Sequence, residues 1–294
     1  MRRLIAGLLV LCCASPVLAG WKTPREVLDR RLVSAEFHIF YTFDGEHAFP
    51  ADANPAERPA QATAHLDALA EQFRKADDFY RKKLGLRPPR AGQRYAALSS
   101  IDVHIMRLEG KTGSTGDELH NFRYRKFEPS PAALAIALTN RWQPTSLTPA
   151  HELFHAYQYG YTYFKNAWFL EGMARSSESF FRIAPGRQSL LPHSQAELDA
   201  VMGRSYHAES LWNRLIHLCG TDILRVLLES YARLDREAAL ARGFDPAAWP
   251  EDEQRSDANN RYLLRGLAES VASHCPVKDR KELNDFKALL HSQR

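Results

Sequence analysis

Cysteine, one-sided charge and long apolar runs are all scarce in this sequence, and each scarcity removes a class of answer. Four cysteines stand among 294 residues and no two have C-x-x-C spacing, which excludes a dithiol redox site and a zinc knuckle. Of 39 Lys and Arg, 37 remain once Arg2 and Arg3 are set aside, against 35 Asp and Glu, too even a balance to create a field that specifies a polyanion. Nucleic acid is therefore not an expected partner. The short basic runs Arg81-Lys82-Lys83 and Phe122-Arg123-Tyr124-Arg125-Lys126-Phe127 read as a solvated helix face or an edge strand. No apolar stretch is long enough to span a bilayer as a helix, so no stable membrane insertion is expected. No internal repeat is evident. Gly110-Lys111-Thr112 suggests a phosphate loop, but Ile105 occupies the position where such a loop requires a glycine.

What is present begins with the parts of an export signal: Arg2 and Arg3, an apolar stretch from Leu4 to Cys13, and Val17-Leu18-Ala19 as a small-residue cleavage site. Cleavage after Ala19 delivers a periplasmic or secreted chain beginning at Gly20. Two of the cysteines leave with the signal. Cys219 and Cys275 remain, either bridged in an oxidising compartment or as two buried thiols. The mature chain of about 275 residues suits one unit of two lobes, residues 20–160 and 161–294.

His151-Glu152-Leu153-Phe154-His155 carries the chemistry. Histidines four apart on a helix project from one face about a turn from each other, so both imidazoles can reach one metal ion. Zinc accepts this kind of nitrogen and oxygen donor set, and a catalytic zinc site uses three protein ligands with a fourth position open. Glu152 is turned roughly 100° from its neighbour along the helix, which makes it a poor ligand and a good general base. The metzincin continuation of glycine and a third histidine is absent, since Gln158 and Tyr161 occupy those positions. A carboxylate from the next helix is the remaining common solution.

Trp168-Phe169-Leu170-Glu171-Gly172-Met173-Ala174 follows, and it resembles the W-L-x-E-G-x-A signature of gluzincin metallopeptidases with a peptidase MA-like domain. The resemblance implies Glu171 as third zinc ligand beside His151 and His155. It also implies an α+β, zincin-like fold: a mixed-sheet N-terminal lobe with helices, a mainly helical C-terminal lobe, and a cleft between them. The spacing between the two motifs is a few residues shorter than in the aminopeptidases that share the signature. In the family a strand just before the zinc helix forms the sheet edge and pairs with extended substrate. Residues 134–139 are the candidate here. The stretch Tyr206-His207-Ala208-Glu209-Ser210-Leu211-Trp212 is similar to the helix that follows the family's site, which makes Tyr206 the first candidate oxyanion donor and His207 the neighbour to test. Ordinary packing is the alternative for Tyr206. Glu178, seven residues beyond Glu171 and on the same helical face, suits a partner for a ligand histidine's second nitrogen.

Elsewhere the pattern predicts a strand at 36–43, and a helix over 61–84 with Leu66, Leu69, Phe73, Ala76 and Tyr80 inward and Gly85 as stop. One or two strands are expected over 95–107, a mobile hairpin at Gly113 and Gly116, and a strand over 132–139. Thr148 reads as N-cap and Pro149 as first residue of the zinc helix, which Gly160 ends. Asn166 caps the next helix, which runs to Ile183 before Pro185-Gly186. Helices are expected at 195–202, 205–219, 222–240, 257–274 and 279–291. The expected activity is peptide-bond hydrolysis by zinc-activated water, with a peptide or protein substrate. No feature that captures a free N-terminal amine is recognisable, which leans toward internal cleavage. Two other readings stand beside it: a non-catalytic exported protein that grips peptide or cell wall, and a zinc hydrolase of another amide or ester.

Overall fold

Apolar alternation and a left-handed Ala35 (φ 54°) turn residues 30–41 into a hairpin. Its strands β1 (Arg30–Ser34) and β2 (Phe37–Tyr41) pair antiparallel, from Arg30 opposite Tyr41 to Ser34 opposite Phe37. The computed structural model describes residues 24–183, 186, 188–275 and 281–292. The expected export signal at 1–19 lies outside them, as does Pro185.

β3 (Ser100–Met106) is buried at every position and runs parallel to β2 and to β5 (Ser130–Thr139). Burial on both faces is what a central parallel strand requires. β4 (Gly113–Phe122) closes the sheet antiparallel to β5, which gives the order β1-β2-β3-β5-β4. Two expectations are corrected here. Residues 134–139 lie on an inner strand with β3 on one side and β4 on the other, so their small and apolar side chains reflect crowding rather than a substrate edge. Gly113 and Gly116 belong to the edge strand itself.

The crossover from β2 to β3 carries α1 (Arg58–Lys82), which buries Leu66, Leu69, Phe73, Ala76 and Tyr80 against the sheet, with Phe73 stacked on Phe37 at 5.0 Å. Gly85 takes a left-handed φ of 65° just beyond its end, a conformation that glycine adopts at little steric cost. The opposite face of the sheet holds a smaller core of Leu28, Phe40, Phe122, Tyr124, Ala133 and Ala135. Around 122–127 the aromatic residues turn inward and Arg123, Arg125 and Lys126 outward.

Among the described residues all five strands precede Asn140, and eight of nine α-helices follow Leu147. They are α2 (Thr148–Tyr161), α3 (Ala167–Ser177), α4 (Gln195–Met202), α5 (Glu209–Cys219), α6 (Ile223–Arg242), α7 (Glu251–Gln254), α8 (Asn260–His274) and α9 (Lys281–His291). The helix expected to reach Ile183 stops at Ser177 and continues as a 3-10 turn over Glu178–Phe181. One apolar cluster extends from Phe37 to Leu290 and packs the helices onto α1 and the sheet. Cys219 and Cys275 are bridged, with Cα atoms 4.6 Å apart across a separation of 56 residues. Closing a loop of that length removes unfolded-state entropy worth about 4 kcal/mol. No helix among the described residues is long and apolar enough to cross a membrane.

Candidate metal centre

α2 is buried almost all round, yet it carries four polar residues inward: His151, Glu152, His155 and Gln158. Buried polar groups need partners, so their contacts reveal what the helix is built to do. Its start differs by one position from expectation: Leu147 occupies the cap, and Thr148 is the first helical residue with Pro149 beside it. Gly160 does not end the helix, which continues to Tyr161; Gly160 instead gives room to Pro89, whose Cα would lie 3.3 Å from an added Cβ.

Asn166 stands at the N-cap position of α3, but its side-chain oxygen accepts no N–H of the helix, while its amide N–H group donates to Ser256 O and Asn260 Oδ1. The motif residues of α3 then have separate tasks. Trp168 stacks on Trp212 with centroids 5.5 Å apart and donates its indole N–H to Asn260. Gly172 permits close approach of the next segment, since a Cβ there would meet Ala208 Cβ at 2.8 Å and Trp212 Nε1 at 2.9 Å. This approach brings the Tyr206–Ala208 turn to the site, with the Tyr206 ring 5.7 Å from that of His151. Glu171 faces α2.

Three donor atoms converge. His151 Nε2 lies 3.1 Å from His155 Nε2 and 3.2 Å from Glu171 Oε2, and His155 Nε2 lies 3.4 Å from the same oxygen. Both histidines are buried and Glu171 partly so. The far nitrogens are engaged as well: His151 Nδ1 is 3.0 Å from Glu178 Oε1, and His155 Nδ1 is 2.9 Å from Gln158 Oε1. The Gln158 amide donates from Nε2 to Leu170 O, which fixes its oxygen as the acceptor toward His155. Glu178 accepts from Arg175 and Arg182 and is therefore held as an anion. Each Nδ1 thus carries its ring's proton. In neutral rings both Nε2 atoms then present lone pairs to each other and to a carboxylate oxygen, an arrangement that only a proton or a cation reconciles.

Without a metal, that proton falls on His151. Burial opposes its charge and is the largest influence, but hydrogen bonds to Glu171 and Glu178 outweigh it and raise the pKa to about 9. Burial likewise pushes Glu171 upward, and its hydrogen bonds to His151 and His155 prevail, holding it well below the usual carboxylate range. The residues also fit a metal. Ligands about 2.0–2.1 Å from a tetrahedral ion are separated by about 3.3–3.4 Å, close to the three distances observed.

Glu152 is buried beside this group, and burial raises its pKa against the pull of His155 and His151. Thr115 of β4 sets its hydroxyl 2.8 Å from Glu152 Oε2 and 2.8 Å from the Glu152 carbonyl. The half-exposed Tyr206 has its phenol raised to about 12 by burial and by the charge of Glu171, which its hydroxyl also reaches. His207, on the same turn, is exposed. Sequence reasoning placed His151, His155, Glu171, Glu178, Glu152 and Tyr206 in one region, and the fold brings them together. It missed Gln158, Thr115, Gly113, Arg175 and Arg182. Gln158 stood three residues beyond His155, a helical spacing that could have flagged it. No family model, curated protein or solved structure matches this chain.

Proposed function

We propose that this chain is an exported zinc-dependent peptidase of gluzincin type, cleaving internal peptide bonds in a cleft between a sheet lobe and a helical lobe. One observation carries the reading: two imidazoles with their Nδ1 protons committed elsewhere turn both Nε2 lone pairs onto Glu171, within 3.4 Å. His151, His155 and Glu171 would hold the ion. When bound, zinc supplies Lewis acidity that acidifies water and polarises a carbonyl. Glu152 takes the water's proton on its carboxylate and returns it to the departing amine, a role suited to a buried acid whose pKa is raised. Tyr206 offers its phenol proton to the carbonyl oxygen as charge develops there. Glu178 and Gln158 keep the two imidazoles in the tautomer that leaves Nε2 free. The Cys219–Cys275 bridge supports an oxidising compartment, in keeping with export.

The test is to measure bound metal and then compare hydrolysis of a mixed peptide library by wild type and Glu152→Gln. The expected result is one zinc per chain in both proteins and turnover lost by about 10³-fold or more in the variant, the scale of removing an essential proton carrier. Equal turnover removes Glu152 from the mechanism. Zinc without cleavage of peptides or of other amides and esters turns the reading toward a binding protein.

A further inference from the structure

Gly113 and Thr115 share the sheet edge that faces α2, and both touch the same side chain. A Cβ built on Gly113 would lie 2.5 Å from Glu152 Oε1, 2.8 Å from Glu152 Cγ and 2.6 Å from Thr148 Cγ2. Gly113 does not occupy the left-handed region, so its backbone does not call for glycine. What it provides is space for the Glu152 carboxylate. Two residues on, Thr115 lies within 2.8 Å of Oε2 and of the backbone oxygen of Glu152. That hydroxyl shares its one proton between the carboxylate and the main-chain oxygen of Glu152, which restrains the torsions between them.

Resting on the peptidase reading, we infer that Gly113 and Thr115 are positioning residues that clamp the Glu152 carboxylate, Oε1 against an empty Cβ position and Oε2 against a hydroxyl, and so hold it in place to take the proton. The clamp is supplied by the edge strand rather than by the helix that bears the acid. Proper placement of a base accounts for a large part of its effect, so loosening it acts on turnover rather than on substrate capture.

The experiment uses the zinc-loaded mature protein and a peptide selected from the library. Thr115→Val is expected to lower kcat roughly 10- to 100-fold, with KM changed by less than about twofold. Zinc content stays at one per chain, and Thr115→Ser recovers most of the lost turnover. Gly113→Ala is expected to lower kcat at least as far with zinc retained. Unchanged kcat in Thr115→Val, a loss confined to KM, or no recovery with serine overturns the inference. If Gly113→Ala does not fold, the threonine series decides alone. A second measurement needs no substrate: thermal unfolding of Thr115→Val, Glu152→Ala and the double variant. Losses in the double variant well below the sum of the single losses support the contact, and strict additivity overturns it. A wild type that cleaves nothing removes the peptidase reading, while the unfolding cycle still decides whether the clamp exists.

Discussion

On the face of the sheet opposite α1, four buried residues form a chain in which each acceptor atom faces a donor. Arg25 Nε donates to His104 Nδ1 at 3.3 Å, His104 Nε2 donates to the Tyr124 oxygen at 2.7 Å, and Tyr124 donates to Asp102 Oδ2 at 2.7 Å. Ser100 satisfies the other Asp102 oxygen at 2.8 Å. Between α2 and α3 two histidines and two glutamates are arranged the other way, with both histidine protons directed outward and the inner nitrogens left to face Glu171. Both clusters set histidine against a carboxylate at buried or partly buried positions. The difference lies in where the protons point, and it separates a polar staple from a group that could hold a cation.

The largest test of that contrast deletes one histidine from each cluster. His155→Ala is expected to reduce bound zinc from one per chain to less than a tenth and hydrolysis by at least about 10³-fold, because two ligands do not hold a catalytic ion. His104→Phe is expected to keep zinc and turnover while lowering unfolding stability by about 2–4 kcal/mol, since it removes a buried acceptor facing Arg25 Nε and a donor facing the Tyr124 oxygen. Metal analysis, peptide hydrolysis and denaturant unfolding give the three readouts. Zinc lost from His104→Phe, or kept by His155→Ala, breaks the distinction.

How much of this the sequence revealed follows from the range of each interaction. His151, Glu152 and His155 lie within one and a half turns of a helix, and Glu178 lies two turns beyond Glu171, so helical period alone brings each set onto one side. The sheet edge was misread for the opposite reason. β5 is apolar and continuous, which announces a strand, whereas Gly113-Ser114-Thr115-Gly116-Asp117-Glu118 reads as a loop and becomes a strand only by pairing with β5. Thr115 and Gly113 were hidden with it, although they hold the acid the motif made obvious. The outer cluster gathers residues 25, 102, 104 and 124, whose separations leave no local pattern to read.

A smaller effect should distinguish the supports of the two proposed ligand histidines. His151 leans on an anion that two arginines hold in place, and His155 leans on a neutral amide. A charged acceptor at Nδ1 raises the basicity of the ring's other nitrogen, Nε2, more than a neutral one does. Glu178→Ala is therefore expected to weaken zinc binding roughly 10- to 100-fold, and Gln158→Ala by less than about tenfold. Competition with a chromogenic chelator measures both. Equal losses would mean that orientation, not charge, is what the supports contribute.

The mildest expected effect is a difference of sign with pH in the metal-free protein. His151 has its folded pKa raised to about 9, above an unfolded value near 6.5, so its stabilising contribution is whole below about pH 6.5 and drains away as pH rises through about 9. His104 is shifted the other way, by burial first and then by the Arg25 charge, so its contribution is present above about pH 6.5 and is lost as pH falls. Thermal melts of metal-free protein from pH 5 to 9.5 should therefore show an alkaline decline that His151→Asn removes, and an acid decline that His104→Phe makes shallower. Saturating zinc replaces the proton shared by His151 and Glu171, so it should flatten the alkaline limb and leave the contribution of His104 untouched. An alkaline limb indifferent to both zinc and His151→Asn would show that the lone pairs between α2 and α3 are not held together by a proton, and the contrast with the outer cluster would lose its physical basis.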